Sequence, residues 1–179
     1  MSLIRLDDSE RVLECNSGRT PALFCQGKPI TLNHAVVADL IVRAETSGGD
    51  LRLCLHQGPE ENFHDMIIVQ HGGGYYRPHR HMDKDETWHM LHGRAGVFVF
   101  DKDGAVTDAQ ILSPDENFLY RVGNAQYHTL VLLTPTVVRR ESRPGPFMGP
   151  GDSLFAPWAP DGSDAAIASA YLERLKSLL

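Results

Sequence analysis

The chain has 179 residues, with 17 Lys and Arg against 23 Asp and Glu, for a net charge of −6. That length suits one domain with a real core, and the acidic balance argues against a nucleic-acid binder, which carries a basic patch or stripe. At 42% hydrophobic and 22% charged residues, the composition is that of a globular chain and not a disordered one.

In chain order, two short extended pieces come first, Arg11 to Cys15 and Ala22 to Cys25, with a turn expected at Asn16-Ser17-Gly18. A helix is expected over about 33–46, with Val37, Leu40, Ile41 and Ala44 on one face, Asn33 as N-cap and Gly48-Gly49 as the stop. Strand-like runs then follow at 51–56, 65–70, 75–81, 86–91, 95–101, 109–112, 118–122, 127–133 and 136–141. Gly, Pro, Asn and Asp clusters separate them, and such regular spacing predicts an all-β sandwich or barrel. Residues 143–160 are rich in proline and glycine and read as an irregular wrapping segment. An amphipathic helix from Ser163 to Leu179 closes the chain, with Ile167, Ala170, Tyr171, Leu175 and Leu178 as its stripe. The whole is expected as one domain of three parts: strands and helix over 1–50, a barrel over 51–142, and a wrapping segment with the last helix over 143–179.

No run approaches the roughly 18 apolar residues of a membrane span. The segment from Met1 to Asp8 lacks the apolar region of a signal peptide. Three cysteines (Cys15, Cys25, Cys54) without a C-x-x-C spacing suggest reduced thiols and a cytoplasmic location.

Nine histidines are present, seven of them between His56 and His92. Within that band the chain reads Gly73-x5-His79-x-His81-x4-Glu86-x6-Gly93. On a strand, residues i and i+2 share a face, so His79 and His81 project together. Met82-Asp83-Lys84-Asp85 lets the chain reverse, which brings Glu86 back beside them. Two imidazoles and a carboxylate on one face suit a divalent transition metal, and His128 on a later strand is the candidate fourth ligand. Such a set leaves open positions for a substrate. Iron, nickel, manganese and zinc all fit it.

These residues resemble the cupins. The spacing from Gly73 to Gly93 is that of the first cupin motif, and His128 stands where the second motif places its histidine, although Gly123, Ala125 and Leu132 replace other positions of that motif. The resemblance implies a mainly β, cupin-type double-stranded β-helix, or jelly-roll barrel, and one metal held by His79, His81, Glu86 and His128. More narrowly, Leu55-His56, Tyr76 to His81, Tyr127-His128-Thr129, Gly145-Pro146-Phe147 and Phe155 to Pro160 are similar to the WbuC-type cupin-fold metalloproteins, a bacterial group associated with surface-polysaccharide gene clusters. That group brings no reaction with it. The likeness to cupins also implies a homodimer, in which the N-terminal strands extend a neighbour's sheet.

Around this motif, Tyr75 and Arg77 share strand parity with His79 and are candidate substrate-binding residues. Arg77 is suited either to clamp a carboxylate or phosphate or to pair with a buried acid. His56, part of the family likeness, is a candidate cavity residue. Trp88 and Met90 read as core, Cys54 as a buried small residue, and His64 and His71 as solvated. Arg139-Arg140-Glu141 reads as a charged strand edge. The expected function is a metal-dependent enzyme, an isomerase or epimerase or a dioxygenase, acting on a small polar ligand such as a sugar derivative or an organic acid. Its general acid or base is unknown. The alternative is a non-catalytic binding or regulatory metalloprotein. Neither nucleic acid nor membrane is expected as a partner.

Overall fold

The computed structural model describes residues 2–16 and 20–179, so most of the turn expected at Asn16-Ser17-Gly18 lies outside the described residues. Its elements are β1 (Val12–Cys15), β2 (Ala22–Cys25), α1 (His34–Ser47), β3 (Leu51–Cys54), β4 (Phe63–His71), β5 (His79–Arg80), β6 (Glu86–His92), β7 (Ala95–Phe100), β8 (Val106–Leu112), β9 (Leu119–Val122), β10 (Tyr127–Leu132), β11 (Thr136–Pro144), β12 (Leu154–Phe155) and α2 (Ala165–Lys176). Two sheets face each other. The larger has the order β1-β2-β3-β4-β11-β6-β9 and the smaller β12-β5-β10-β7-β8. This is the expected mainly β jelly roll with a helix before it and another at its end.

Side-chain alternation explains where the core lies. On β7 and β10, Ala95, Val97, Leu130 and Leu132 point between the sheets, where they meet Trp88 and Met90 of β6, Leu112 of β8 and Val137 of β11. Their neighbours Phe98, Phe100, Tyr127 and Val131 point the other way and are covered by Leu175 of α2 and by Ala156 and Ala159. Both strands are therefore buried along their whole length. A third cluster packs Val36, Leu40 and Ala44 of α1 against Leu23, Leu53, Val69 and Val138 on the outer face of the larger sheet.

Both helices carry the expected signals. The Asn33 side chain accepts from the Val36 amide at 3.1 Å, and Gly48 ends α1 in the left-handed conformation. In α2 the buried stripe is Ala168, Tyr171, Leu172 and Leu175, while Ile167 and Leu178 are exposed. The expected stripe therefore holds only at Tyr171 and Leu175. The helix starts two residues later and ends three residues earlier than expected, and Asp164 caps it.

Two further expectations change. Strand pairing at 75–81 is confined to His79–Arg80; Pro78 has no amide to donate to a ladder. The wrapping segment contributes β12, which pairs with β5 at the sheet edge. The N-terminal strands also pair with this chain's own sheet, since β2 runs parallel to β3, and β1 lies at that sheet's edge.

Gly93 occupies a tight spot. Its φ is +76°, and a Cβ there would lie 2.2 Å from the Thr136 carbonyl oxygen. Gly93→Ala is expected to cost more than about 2 kcal/mol, from backbone strain plus the clash. The urea midpoint reports it, and an unchanged midpoint would contradict the close approach.

Candidate metal centre

His79 lies directly opposite His128 in the β5–β10 pairing. His81 follows β5, and Glu86 is the first residue of β6. The connecting turn is pinned at both ends. The Ala125 amide donates to the His81 carbonyl, and Asp85 pairs with Arg121 while accepting from the Asn124 amide at 2.7 Å. The four candidate ligand atoms of His79, His81, Glu86 and His128 all lie within 4.8 Å of one another. His81, Glu86 and His128 are each at most 3% exposed, and His79 is half-buried.

The donor chemistry fits a metal ion. Nδ1 of His79 meets the Arg77 carbonyl at 3.2 Å, Nδ1 of His128 meets the Gln126 carbonyl at 2.9 Å, and Nδ1 of His81 meets the Asp152 carbonyl. A carbonyl only accepts, so each Nδ1 carries a proton and Nε2 is the atom left to face a metal, the arrangement that metal-ligating histidines show. Nε2 of His128 then lies 2.6 Å from Oε1 of Glu86 without a well-formed hydrogen bond, and Nε2 of His81 lies 3.6 Å from Oε2. Lone pairs facing a carboxylate inside a protein are unfavourable unless a proton or a metal ion sits between them.

The titration tendencies follow the same geometry. Burial, and then the neighbouring His128, pushes His79 down to about 3, which keeps it neutral. Burial alone would raise the Glu86 carboxyl, but the contact with His128 and the nearby His81 and Arg143 hold it below the usual carboxylate range. For His128, burial acts downward and is outweighed by Glu86, so its value rises.

A network of buried charges surrounds the centre, and here the expectation of a solvated edge at Arg139-Arg140-Glu141 is overturned. β11 lies between β4 and β6, not at an edge. Arg139, Glu141 and Arg143 alternate onto the inner face and are buried, while Arg140 points outward to a two-pronged pair with Asp65, both contacts at 2.7 Å. Arg139 bonds Gln70 at 2.9 Å and Glu141 at 2.7 Å, and its guanidinium lies 5.2 Å from the centre of the Trp88 ring. Arg143 reaches Nε2 of His81 at 3.0 Å and Oδ2 of Asp152 at 3.1 Å. Lys84 closes the network on Asp152 and the Pro146 carbonyl.

The candidate substrate residues sit apart from the four ligands. Tyr75 donates to the Pro160 carbonyl at 2.7 Å and Arg77 to the Ala156 carbonyl at 2.9 Å. Without strand geometry at 75–78, parity with His79 does not apply to them. Both line a cavity of about 310 Å³ with Phe155, Asp161 and Gly162. Phe155 links that cavity to the centre, since its ring lies 6.2 Å from His79 and 5.3 Å from the Arg77 guanidinium. His56 stacks on His64, with ring centres 4.2 Å apart and planes 5° apart. His64 is itself buried, contrary to its expected solvated role, and bonds the Pro59 carbonyl at 3.1 Å. Lys84, Arg143 and Asp152 escaped notice in the sequence. The alternation Arg139-x-Glu141-x-Arg143 was the available signal for the central residues.

The stacked pair implies a pH response. Burial, and then the adjacent His64, pushes His56 down to about 4, and burial followed by Arg143 lowers His64. A histidine whose value falls on folding is protonated first in the unfolded chain, so stability drops as pH falls from the ordinary 6.5 toward 4. Urea midpoints at pH 7 and 4.5 should show that loss, and His56→Gln should reduce it. Equal pH slopes in the two proteins would refute the assignment.

Comparisons with known proteins address the fold. A family model described as a domain of unknown function, DUF6016, matches residues 32–112, a span that includes His79, His81 and Glu86 but stops short of His128. No curated protein matches the chain. The capsular polysaccharide assembling protein CapF of Staphylococcus aureus is similar in structure, with a TM-score of 0.50 and 14% identity over 58% of this chain and 29% of that one. KdgF of Halomonas sp. aligns at a TM-score of 0.45 and 19% identity over 57% of this chain and 83% of that one. Oxalate decarboxylase of Lactobacillus farciminis aligns at 0.43 and 14% identity, over 53% and 27%. The chain thus spans under a third of the CapF protein it matches. Fold and centre together define a cupin-type jelly roll with a candidate metal site at His79, His81, Glu86 and His128. No helix among the described residues is long and apolar enough to cross a membrane.

Proposed function

We propose that this chain is a single-domain, metal-dependent cupin enzyme acting on a small polar ligand, a sugar derivative or an organic acid. The observation that carries the reading is the shared orientation of three imidazoles. Each has Nδ1 tied to a backbone carbonyl, and the candidate ligand atoms of all three lie within 4.8 Å of one another and of Glu86. A divalent iron, nickel, manganese or zinc ion bound there would supply Lewis acidity to a ligand oxygen. The chain itself keeps His79 neutral and holds Glu86 ionised. Tyr75 and Arg77, in the cavity beyond Phe155, are proposed to receive the polar end of the ligand, with His56 acting only through His64. The WbuC-like segments suggest a place in surface-polysaccharide chemistry, and the capsular-polysaccharide name of one fold relative is in keeping with that. A homodimer and a cytoplasmic location belong to the same proposal.

Elemental analysis before and after reconstitution tests the reading, followed by turnover assays on sugar and organic-acid panels with oxygen uptake monitored. About one metal per chain is expected, and trace metal after reconstitution would overturn it. Oxygen uptake separates a dioxygenase from an isomerase or epimerase. A second reading, a metal-anchored binding module, is favoured by one observation: the buried carboxylates Glu141 and Asp152 are both held in ion pairs and are not free to move protons. Ligand affinity by calorimetry without turnover would select it.

A further inference from the structure

We infer that Arg143 is an anion-binding residue of the centre, and that the ligand completing the site carries a carboxylate or similar oxyanion beside the metal. The inference rests on the metal reading just given and adds the charge class of the ligand and the residue that selects it.

Two observations lead there. The first is a competition for one lone pair. Nδ1 of His81 donates to Asp152, so Nε2 is its only acceptor, and Nη1 of Arg143 takes it at 3.0 Å. That lone pair cannot serve a guanidinium and a metal at once. With Nε2 committed to a metal, Nη1 becomes a buried donor without an acceptor, aimed at the ligand cluster. A buried charged donor needs a replacement partner, and an oxyanion at the centre provides it with a charge-assisted bond. The other contacts of Arg143, to Asp152 at 3.1 Å and toward Glu141 at 3.7 Å, hold the guanidinium in place from the far side.

The second observation is charge balance. Lys84, Arg139 and Arg143 are buried with Glu86, Glu141 and Asp152, so three cations already match three carboxylates. A divalent ion among neutral histidines leaves an excess of two positive charges in a desolvated site. A carboxylate halves that excess and a dianion cancels it, whereas a neutral sugar does neither.

The test uses the full chain loaded with Co(II), with occupancy fixed by elemental analysis. Acetate and the neutral, similarly shaped acetamide are the probes, read through the cobalt visible spectrum. The parent should bind acetate at least about tenfold more tightly than acetamide. Arg143→Gln should keep its cobalt and lose at least about tenfold in acetate affinity, the cost of truncating a buried, hydrogen-bonded charge. If Arg143→Gln does not fold, Arg143→Lys keeps the charge without the planar fork and should lose severalfold in acetate affinity. Equal binding of the two probes by the parent would overturn the inference, as would variants that bind acetate within threefold of the parent. Loss of cobalt from folded Arg143 variants would also overturn it, since the arginine would then serve the ligand set. Failure of the parent to take up cobalt, or any of the four candidate metals, sinks the metal reading itself and is told apart by the elemental analysis.

Discussion

Glu141→Ala is expected to destabilise the protein by about 3–5 kcal/mol, the range for removing one partner from a buried ion pair. Glu141 holds Arg139 at 2.7 Å and faces Arg143 at 3.7 Å, all three on the inner face of β11. Its loss leaves Arg139 with only Gln70 and the Trp88 ring as partners. The pair is costly to break but is not the source of net stability. The double variant Arg139→Met, Glu141→Leu should therefore recover most of the deficit, because apolar packing replaces two desolvated charges. Urea unfolding of the three proteins decides the matter. A single-variant loss below about 1 kcal/mol would mean that water reaches these groups, as at a surface pair.

Glu86→Gln should lower metal affinity by at least about a hundredfold, beyond what outer partners of a ligand contribute. Glu86 supplies the anionic atoms among the four candidate ligands. Saturating metal at about 100 times its dissociation constant stabilises a folded protein by roughly 2.7 kcal/mol. For a chain of this size that is a rise of roughly 5–10 °C in Tm. The parent should show that rise on adding metal, and Glu86→Gln should not. An equal rise in both would remove Glu86 from the ligand set. His79→Ala is a cleaner companion than His81→Ala. The polar tie of His79 is to the Arg77 carbonyl, whereas His81 also anchors Asp152 and Arg143.

What the sequence disclosed depends on how local each signal was. The turn residues and strand alternation carried the two-sheet fold, and the spacing from Gly73 to Gly93 carried three of the four clustered residues. His128 could be offered only as a histidine on a later strand, with the family likeness in support, because its place opposite His79 is a matter of sheet pairing and not of spacing. The charged run at 139–141 misled because charge in a short window resembles a solvated edge. Only the order of strands, with β11 between β4 and β6, turns that face inward. β12 is two residues long, too short for any periodic pattern to show it. Pro78 ended the usefulness of strand parity for Tyr75 and Arg77.

The bond from His81 to the Asp152 carbonyl joins residues 71 positions apart in the chain. All four clustered side chains have been synthesised by residue 128, yet the groups that orient His81 come from 143–152. A nascent chain emerging in order would hold the imidazoles and Glu86 in view of free cations before Arg143 and Asp152 arrive to discipline them. On the metal reading, selection would be coupled to chain completion: the last fifth of the polypeptide would convert a loose cation trap into a shaped centre. Fragments ending near residue 142 should scavenge metals with less discrimination than the finished protein.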